Sequence, residues 1–138
     1  MNFFCNNIVY NSSMKKIILL FLLLLSLPAN AKHFYNEHYY QAQWCNQYNG
    51  QMEYVLPDKT RVDCLTKNYA VEFDFVSKWA ECVGQALYYA DQTNRTPACV
   101  LIIEKPKDFK YYYRIEKISK DLNLQLWYIK SPDYDNQK

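Results

Sequence analysis

Two short runs, Arg61 to Leu65 and Tyr69 to Phe75, flank Lys67-Asn68, and they constrain the chain more than any other feature. Successive side chains of a strand point to opposite faces, so the loop length decides which residues oppose each other. With Lys67-Asn68 as a two-residue loop, Thr66 pairs with Tyr69, Asp63 with Glu72 and Arg61 with Asp74. A four-residue loop gives the same register. Glu72 and Asp74 lie two apart and share a face with Asp63. Upstream, Leu56-Pro57-Asp58-Lys59-Thr60 suits a three-residue loop, a type I turn followed by a left-handed residue. Leu56 then pairs with Thr60, Glu53 with Asp63, and Lys59 takes the left-handed position. An even-length loop would turn Glu53 away.

Three adjacent strands thus present Glu53, Asp63, Glu72 and Asp74 together. Like charges directly opposed are destabilising, so something must compensate them. Oxygen donors at this density suit a hard cation, Mg²⁺ or Mn²⁺. The other reading is a solvated acidic face partnered by Arg61.

The elements around the hairpin alternate. Phe34 to Tyr48 reads as a helix ending at Asn49-Gly50, and Met52 to Leu56 as a strand. After the hairpin, Ser77 is a candidate cap for a helix to Asp91. Cys99 to Glu104 is an apolar run of the kind found in a doubly buried strand. Phe109 to Leu122 reads as a helix, Leu124 to Ile129 as a strand, and the tail after Pro132 is polar. The order α-β-β-β-α-β-α-β predicts an α/β domain with a mixed sheet.

The beginning of the chain reads as an address. Met14-Lys15-Lys16, the apolar run Ile17 to Leu27, Pro28 and Ala29-Asn30-Ala31 are the ordered parts of a secretory signal peptide. The apolar run is shorter than the ~20 residues of a membrane span. Residues 1–31 are therefore expected to leave, with Met14 as the natural start. Residues 32–138 would form one exported domain, periplasmic or secreted, with no stable membrane insertion. Without Lys15 and Lys16, fourteen basic residues face fourteen acidic ones, so any polyanion must meet a local patch.

Cysteine usage agrees with an oxidising compartment. Cys45, Cys64, Cys82 and Cys99 remain after Cys5 is lost, and no C-x-x-C is present. The favoured pairings join neighbouring elements, Cys45 with Cys64 and Cys82 with Cys99, the second against buried free thiols. Zinc is disfavoured, because His33 and His38 both sit near the N-terminus of the domain.

On the helix after the hairpin, Trp79, Val83, Ala86, Leu87 and Ala90 form the expected buried face, with Lys78, Cys82, Gln85 and Tyr89 as a flanking stripe. The set Arg61-Val62-Asp63, Val71-Glu72-Phe73-Asp74, Lys78 and Gly84-Gln85-Ala86-Leu87-Tyr88-Tyr89 resembles the core of the PD-(D/E)xK nuclease superfamily. The likeness covers about Glu53 to Glu104. It implies a restriction-endonuclease-like αβββαβ core, here followed by a further helix and strand. It also implies that Asp63 and Glu72 bind Mg²⁺ or Mn²⁺, with Glu53 as a further ligand. Gln85 and Tyr89 match the family's Q-x-x-x-Y and would contact substrate. Asp74 stands where the family has Lys. Either Lys78 supplies that cation from the helix, or the centre has lost its activity.

On the last helix Lys107, Lys110, Arg114 and Lys117 recur at 3-4-3 spacing with Tyr111, Tyr112 and Tyr113 between them. Lys110 and Arg114 are candidate phosphate contacts; a solvated helix face with Tyr112 inward is the alternative. The expected function is an exported metal-dependent nuclease acting on nucleic acid. The alternative is a non-catalytic exported binding or envelope protein on the same fold. The leader makes its own prediction: exported material should begin at Lys32 on N-terminal sequencing. Retention of Met14 or Ile17 would contradict the leader.

Overall fold

A computed structural model describes residues 33–137. The leader, its cleavage site and Cys5 lie outside the described residues. The element order is α1 (Glu37–Gln47), β1 (Gln51–Val55), β2 (Arg61–Leu65), β3 (Tyr69–Phe75), α2 (Trp79–Thr93), β4 (Thr96–Ile103), α3 (Phe109–Ser119) and β5 (Gln125–Lys130). This is the alternation expected from the sequence. The sheet runs β1-β2-β3-β4-β5. Its first three strands are antiparallel, and β3, β4 and β5 run parallel. It is an α/β domain with an open five-stranded mixed sheet and three helices.

Local chemistry sets the ends of the helices. The Asn36 side chain accepts the Tyr39 N–H and caps α1. Asn49 (φ 51°) and Asn94 (φ 52°) take left-handed conformations at the ends of α1 and α2, and Asn123 (φ 49°) follows α3. Such positions usually carry Gly, but the chain has only two, and Asn is the next best tolerated residue. Ser77 does not cap α2. It lies in a 3₁₀ turn, Val76–Lys78, that tightens the entry, and no side chain caps the helix. The tail folds into a 3₁₀ turn from Tyr134 that buries the Tyr134 ring in the core.

The two faces of the sheet are packed differently. On one face Trp44 and Cys45 of α1 meet Val71, Phe73, Ala98 and Val100. On the other Cys82 and Ala86 of α2 and Ile115 of α3 meet Cys99, Leu101 and Ile103. β4 is buried along nearly its whole length, as its apolar run predicts. Helix α2 is turned relative to expectation. Cys82, Ala86, Tyr89 and Ala90 are its buried residues, while Trp79, Val83 and Leu87 are only half-buried. Cys82 and Tyr89 of the expected flanking stripe thus join Ala86 and Ala90 of the expected buried face, while Lys78 is exposed and Gln85 half-buried.

Cys45 and Cys64 form a disulfide joining α1 to β2, with Cα atoms 5.8 Å apart, within the span a disulfide bridges. Cys82 and Cys99 are free and buried, so the favoured second bridge is absent; the Cys82 thiol instead donates to the Glu72 carbonyl. Among the described residues no helix is long and apolar enough to cross a membrane.

Gly50 lies against the disulfide. A Cβ there would stand 2.7 Å from Cys45 Sγ and closer still to Cys64 Sγ. Its φ is not positive, so close approach, and not backbone freedom, requires glycine. Gly50→Ala should therefore destabilise the oxidised protein by about 1–3 kcal/mol in a denaturant titration. The same substitution should cost less when both cysteines are alanine; an equal cost would place the clash elsewhere.

Candidate functional site: a carboxylate cluster between two parting strands

The hairpin register holds at Leu65↔Ala70 and Cys64↔Val71, one step short of Asp63 and Glu72. There the backbone ladder stops and side chains continue it. Asp63 Oδ2 accepts the Phe73 N–H at 2.8 Å, and Glu72 Oε1 accepts the Asp63 N–H at 3.3 Å. Each carboxylate satisfies a backbone donor that a strand carbonyl would otherwise have taken. The expected Arg61–Asp74 pair does not form. Beyond the opening, Arg61 lies 3.4 Å from Glu53 instead.

The first hairpin keeps the expected register, from Gln51↔Leu65 to Val55↔Arg61. Lys59 takes the left-handed conformation its loop requires, with φ 75°. Glu53 departs from the pattern with φ 52° inside a strand, a conformation that costs a non-glycine residue free energy. Its carboxylate accepts from the Gln41 amide at 3.0 Å, and the same amide also donates to the Asp63 carbonyl. Gln41 is buried and His38 Nδ1 lies 3.2 Å from its Oε1, so α1 is tied by hydrogen bonds to the opening.

Asp74 shares a face of β3 with Glu72, and both are buried. Lys78 Nζ lies 3.3 Å from Asp74 Oδ1 and 3.4 Å from Glu37 Oε1. It makes no ion pair with Asp63 or Glu72 among the described residues. Asp74 Oδ1 is nonetheless buried without a hydrogen-bond partner. Glu37 and Gln41 went unnoticed in the sequence. Their four-residue spacing, which places both on one face of α1, was the available signal.

Burial raises all three inner carboxyls, and Asp63 and Asp74 further raise Glu72 between them. Asp63 is pushed up to about 6 by burial and the nearby Glu53 charge, against the Phe73 N–H that lowers it. Glu72 is pushed up to about 9 by burial and by Asp63. Asp74 rises to about 7 through burial and the carboxyl of Glu37, with Lys78 opposing. Burial lowers the Lys78 ammonium, but Asp74 and Glu37 outweigh it and leave the pKa raised. Tyr89 is buried, raised by desolvation and then by Glu72, with the nearby Gln85 side chain opposing. Lys110 and Arg114 lie apart on α3, exposed, over the Tyr111 ring at 4.8 and 5.0 Å.

The donor set is chemically suited to a hard divalent cation. Among the described residues Asp63 Oδ1 and Glu72 Oε2 accept no hydrogen bond, while Asp74 Oδ1 faces the Lys78 ammonium at 3.3 Å. However, no group of three or more His, Cys, Asp or Glu is arranged as a metal cage among the described residues. No protein-family model, curated protein or solved structure matches this chain.

A carboxyl whose folded pKa is raised keeps its proton where the unfolded chain, at 3.8 for Asp and 4.5 for Glu, has lost it. Its contribution to stability is full below about pH 4 and is lost as pH rises through 6 to 9. The metal-free protein should therefore melt at least ~4 °C lower at pH 8 than at pH 5. Asp63→Asn and Glu72→Gln should each flatten that slope. A Tm that rises over this interval would contradict the assignment.

Proposed function

We propose that the chain is an exported, metal-dependent nuclease hydrolysing phosphodiester bonds of nucleic acid, built on a restriction-endonuclease-like core. The observation that supports it is the set of Asp63, Glu72 and Asp74, one half-buried and two buried carboxyls brought together by one hairpin with a lysine at the rim. The αβββαβ order leading through β4 is the order that such a core requires. Asp63 and Glu72, with Glu53 beside them, would hold Mg²⁺ or Mn²⁺ through oxygens that the backbone leaves free. A bound ion supplies Lewis-acid polarisation of the phosphoryl group and a lowered pKa for an attacking water.

The chain's own residues have distinct parts. Lys78, in place of the lysine that Asp74 displaces, balances charge at the rim and orients the nucleophile. Glu37 holds Lys78 from the far side, so the ammonium is fixed between two carboxylates. The Gln85–Tyr89 pair orients a substrate strand beside Glu72. Lys110 and Arg114 would contact phosphates farther along it.

One observation favours a second reading, a non-catalytic exported binding or envelope protein on the same fold. Lys78 is already engaged by Asp74 and Glu37, which makes a closed structural triad. Cleavage of plasmid and single-stranded DNA with Mg²⁺ or Mn²⁺ separates the two. Asp63→Asn and Glu72→Gln should each lower the rate at least about a hundredfold. Mn²⁺ should raise Tm in the wild type and not in those variants. No metal-dependent cleavage together with no Mn²⁺ shift would leave the binding protein.

A further inference from the structure

A second site lies around Tyr69, at the start of β3, and shares no residue with the carboxylate cluster. Two open grooves meet there, of about 550 Å³ and about 420 Å³, and both are lined by Tyr69 and Thr96. These volumes fall in the range of ligand sites. Lys67 and Arg95 line the first groove and Lys120 the second, and no carboxylate lines either. Arg95 is partly engaged by the carbonyls of Thr66, Thr93 and Asn94. The ammonium groups of Lys67 and Lys120 have no partner among the described residues. In a chain whose domain is electrically balanced, three cations along two adjoining carboxylate-free grooves are a local field of one sign.

A third, more apolar pocket of about 160 Å³ continues from the same place, between Tyr69, Trp127, Trp44 and Tyr48. Its rings touch in series. Tyr69 meets Trp127 at 5.2 Å, Trp127 meets Trp44 at 5.3 Å, and Tyr48 stacks on Trp44 at 4.1 Å. Tyr48 is 51% exposed, so the row ends in an aromatic face open to solvent. Asn68 and Asn94 add amide donors and acceptors at the groove wall. The exposed basic stripe of α3 ends at Lys117, one helical turn before Lys120, and so leads toward the groove.

We infer that this groove binds single-stranded nucleic acid, with phosphates along Lys120, Arg95 and Lys67 and a base against Tyr48 and Trp127. Both requirements of such binding are present side by side: a cationic track for the backbone and an aromatic platform for an unpaired base. A duplex would satisfy only the first, because its bases are already stacked on each other. The site needs no metal and no cleavage, so it stands whether or not the carboxylate cluster is catalytic.

The test is tryptophan fluorescence with an oligothymidine of about twelve nucleotides, in EDTA, on the full exported chain. Trp79→Phe removes the third tryptophan, which lies outside the groove, and leaves Trp44 and Trp127 as reporters. Saturable quenching is expected. Tyr48→Ala should weaken binding by about fivefold or more, the loss of one stacked base. Lys67→Ala with Lys120→Ala should weaken it by at least about tenfold and make log K less steep against log[salt]. Both positions are exposed, so folding is preserved, and an unchanged far-ultraviolet spectrum checks it. The inference is overturned if no quenching occurs. It is also overturned if heparin, which has no bases, competes with undiminished affinity in Tyr48→Ala while oligothymidine binding is unchanged there. Loss of binding in Lys110→Ala with Arg114→Ala alone would move the contact to α3 and equally overturn it.

Discussion

The exchange of side-chain carboxylates for main-chain carbonyls between β2 and β3 is the contact on which the rest depends. Each strand donor left by the parting of the ladder is met by a carboxylate from the other strand, Asp63 to Phe73 and Glu72 to Asp63. Hydrogen bonds from backbone N–H groups to ionised carboxylates are among the stronger ones. Burying two carboxylates side by side acts against them, because desolvation and mutual repulsion both favour protonation. The balance leaves a cluster that titrates around neutrality, between about 6 and about 9. Under the proposed metal-binding role, loading a cation there would release protons.

An opening in a sheet must be held open, and α1 does this by two linkages. The Cys45–Cys64 disulfide fixes the helix one residue from Asp63. One turn earlier, Gln41 spans Glu53 and the Asp63 carbonyl. One turn earlier again, Glu37 reaches Lys78 at the entry to α2. Residues four apart on one helix face thus run along the site and connect β1, β2 and α2. Gly50 lets the chain turn tightly under the disulfide, so the covalent linkage and the polar ones act on the same helix.

Much of this was legible in residue spacing. Strand period two and the loop lengths gave the register of both hairpins and the left-handed Lys59, and the even cysteine count with neighbouring elements gave the bridge between α1 and β2. What was not legible depends on tertiary packing. The ladder arithmetic assumes that pairing continues, and it stops where a carboxylate bonds the opposite backbone better than a carbonyl does. Arg61 therefore meets Glu53 and not Asp74. The hydropathy of helix α2 places Trp79, Ala86, Leu87 and Ala90 inward; Ala86 and Ala90 are buried as expected, but small Cys82, with Tyr89, takes the place of Trp79 and Leu87 against the sheet. Glu37 was passed over because α1 carries no apolar stripe to orient it.

Net charge conceals how this domain is organised. Glu72 and Asp74 lie three and five residues beyond Tyr69 on the same strand, roughly 10 and 17 Å along it. That separation is at or beyond the Debye length of about 8 Å at physiological ionic strength, so the acidic cluster and the cations around Tyr69 act as separate fields. Parity separates them too: Tyr69 packs with Trp127, while Glu72 feels Tyr89 behind the sheet. Screening at that distance leaves a polyanion in the groove only weakly repelled by the carboxylates. Burial weakens that repulsion further, because desolvation raises the pKa of Glu72 and of Asp74 and so favours their protonated forms. Distance and the raised pKa values thus let one small domain carry an acidic cluster and a cationic groove within the length of a single strand.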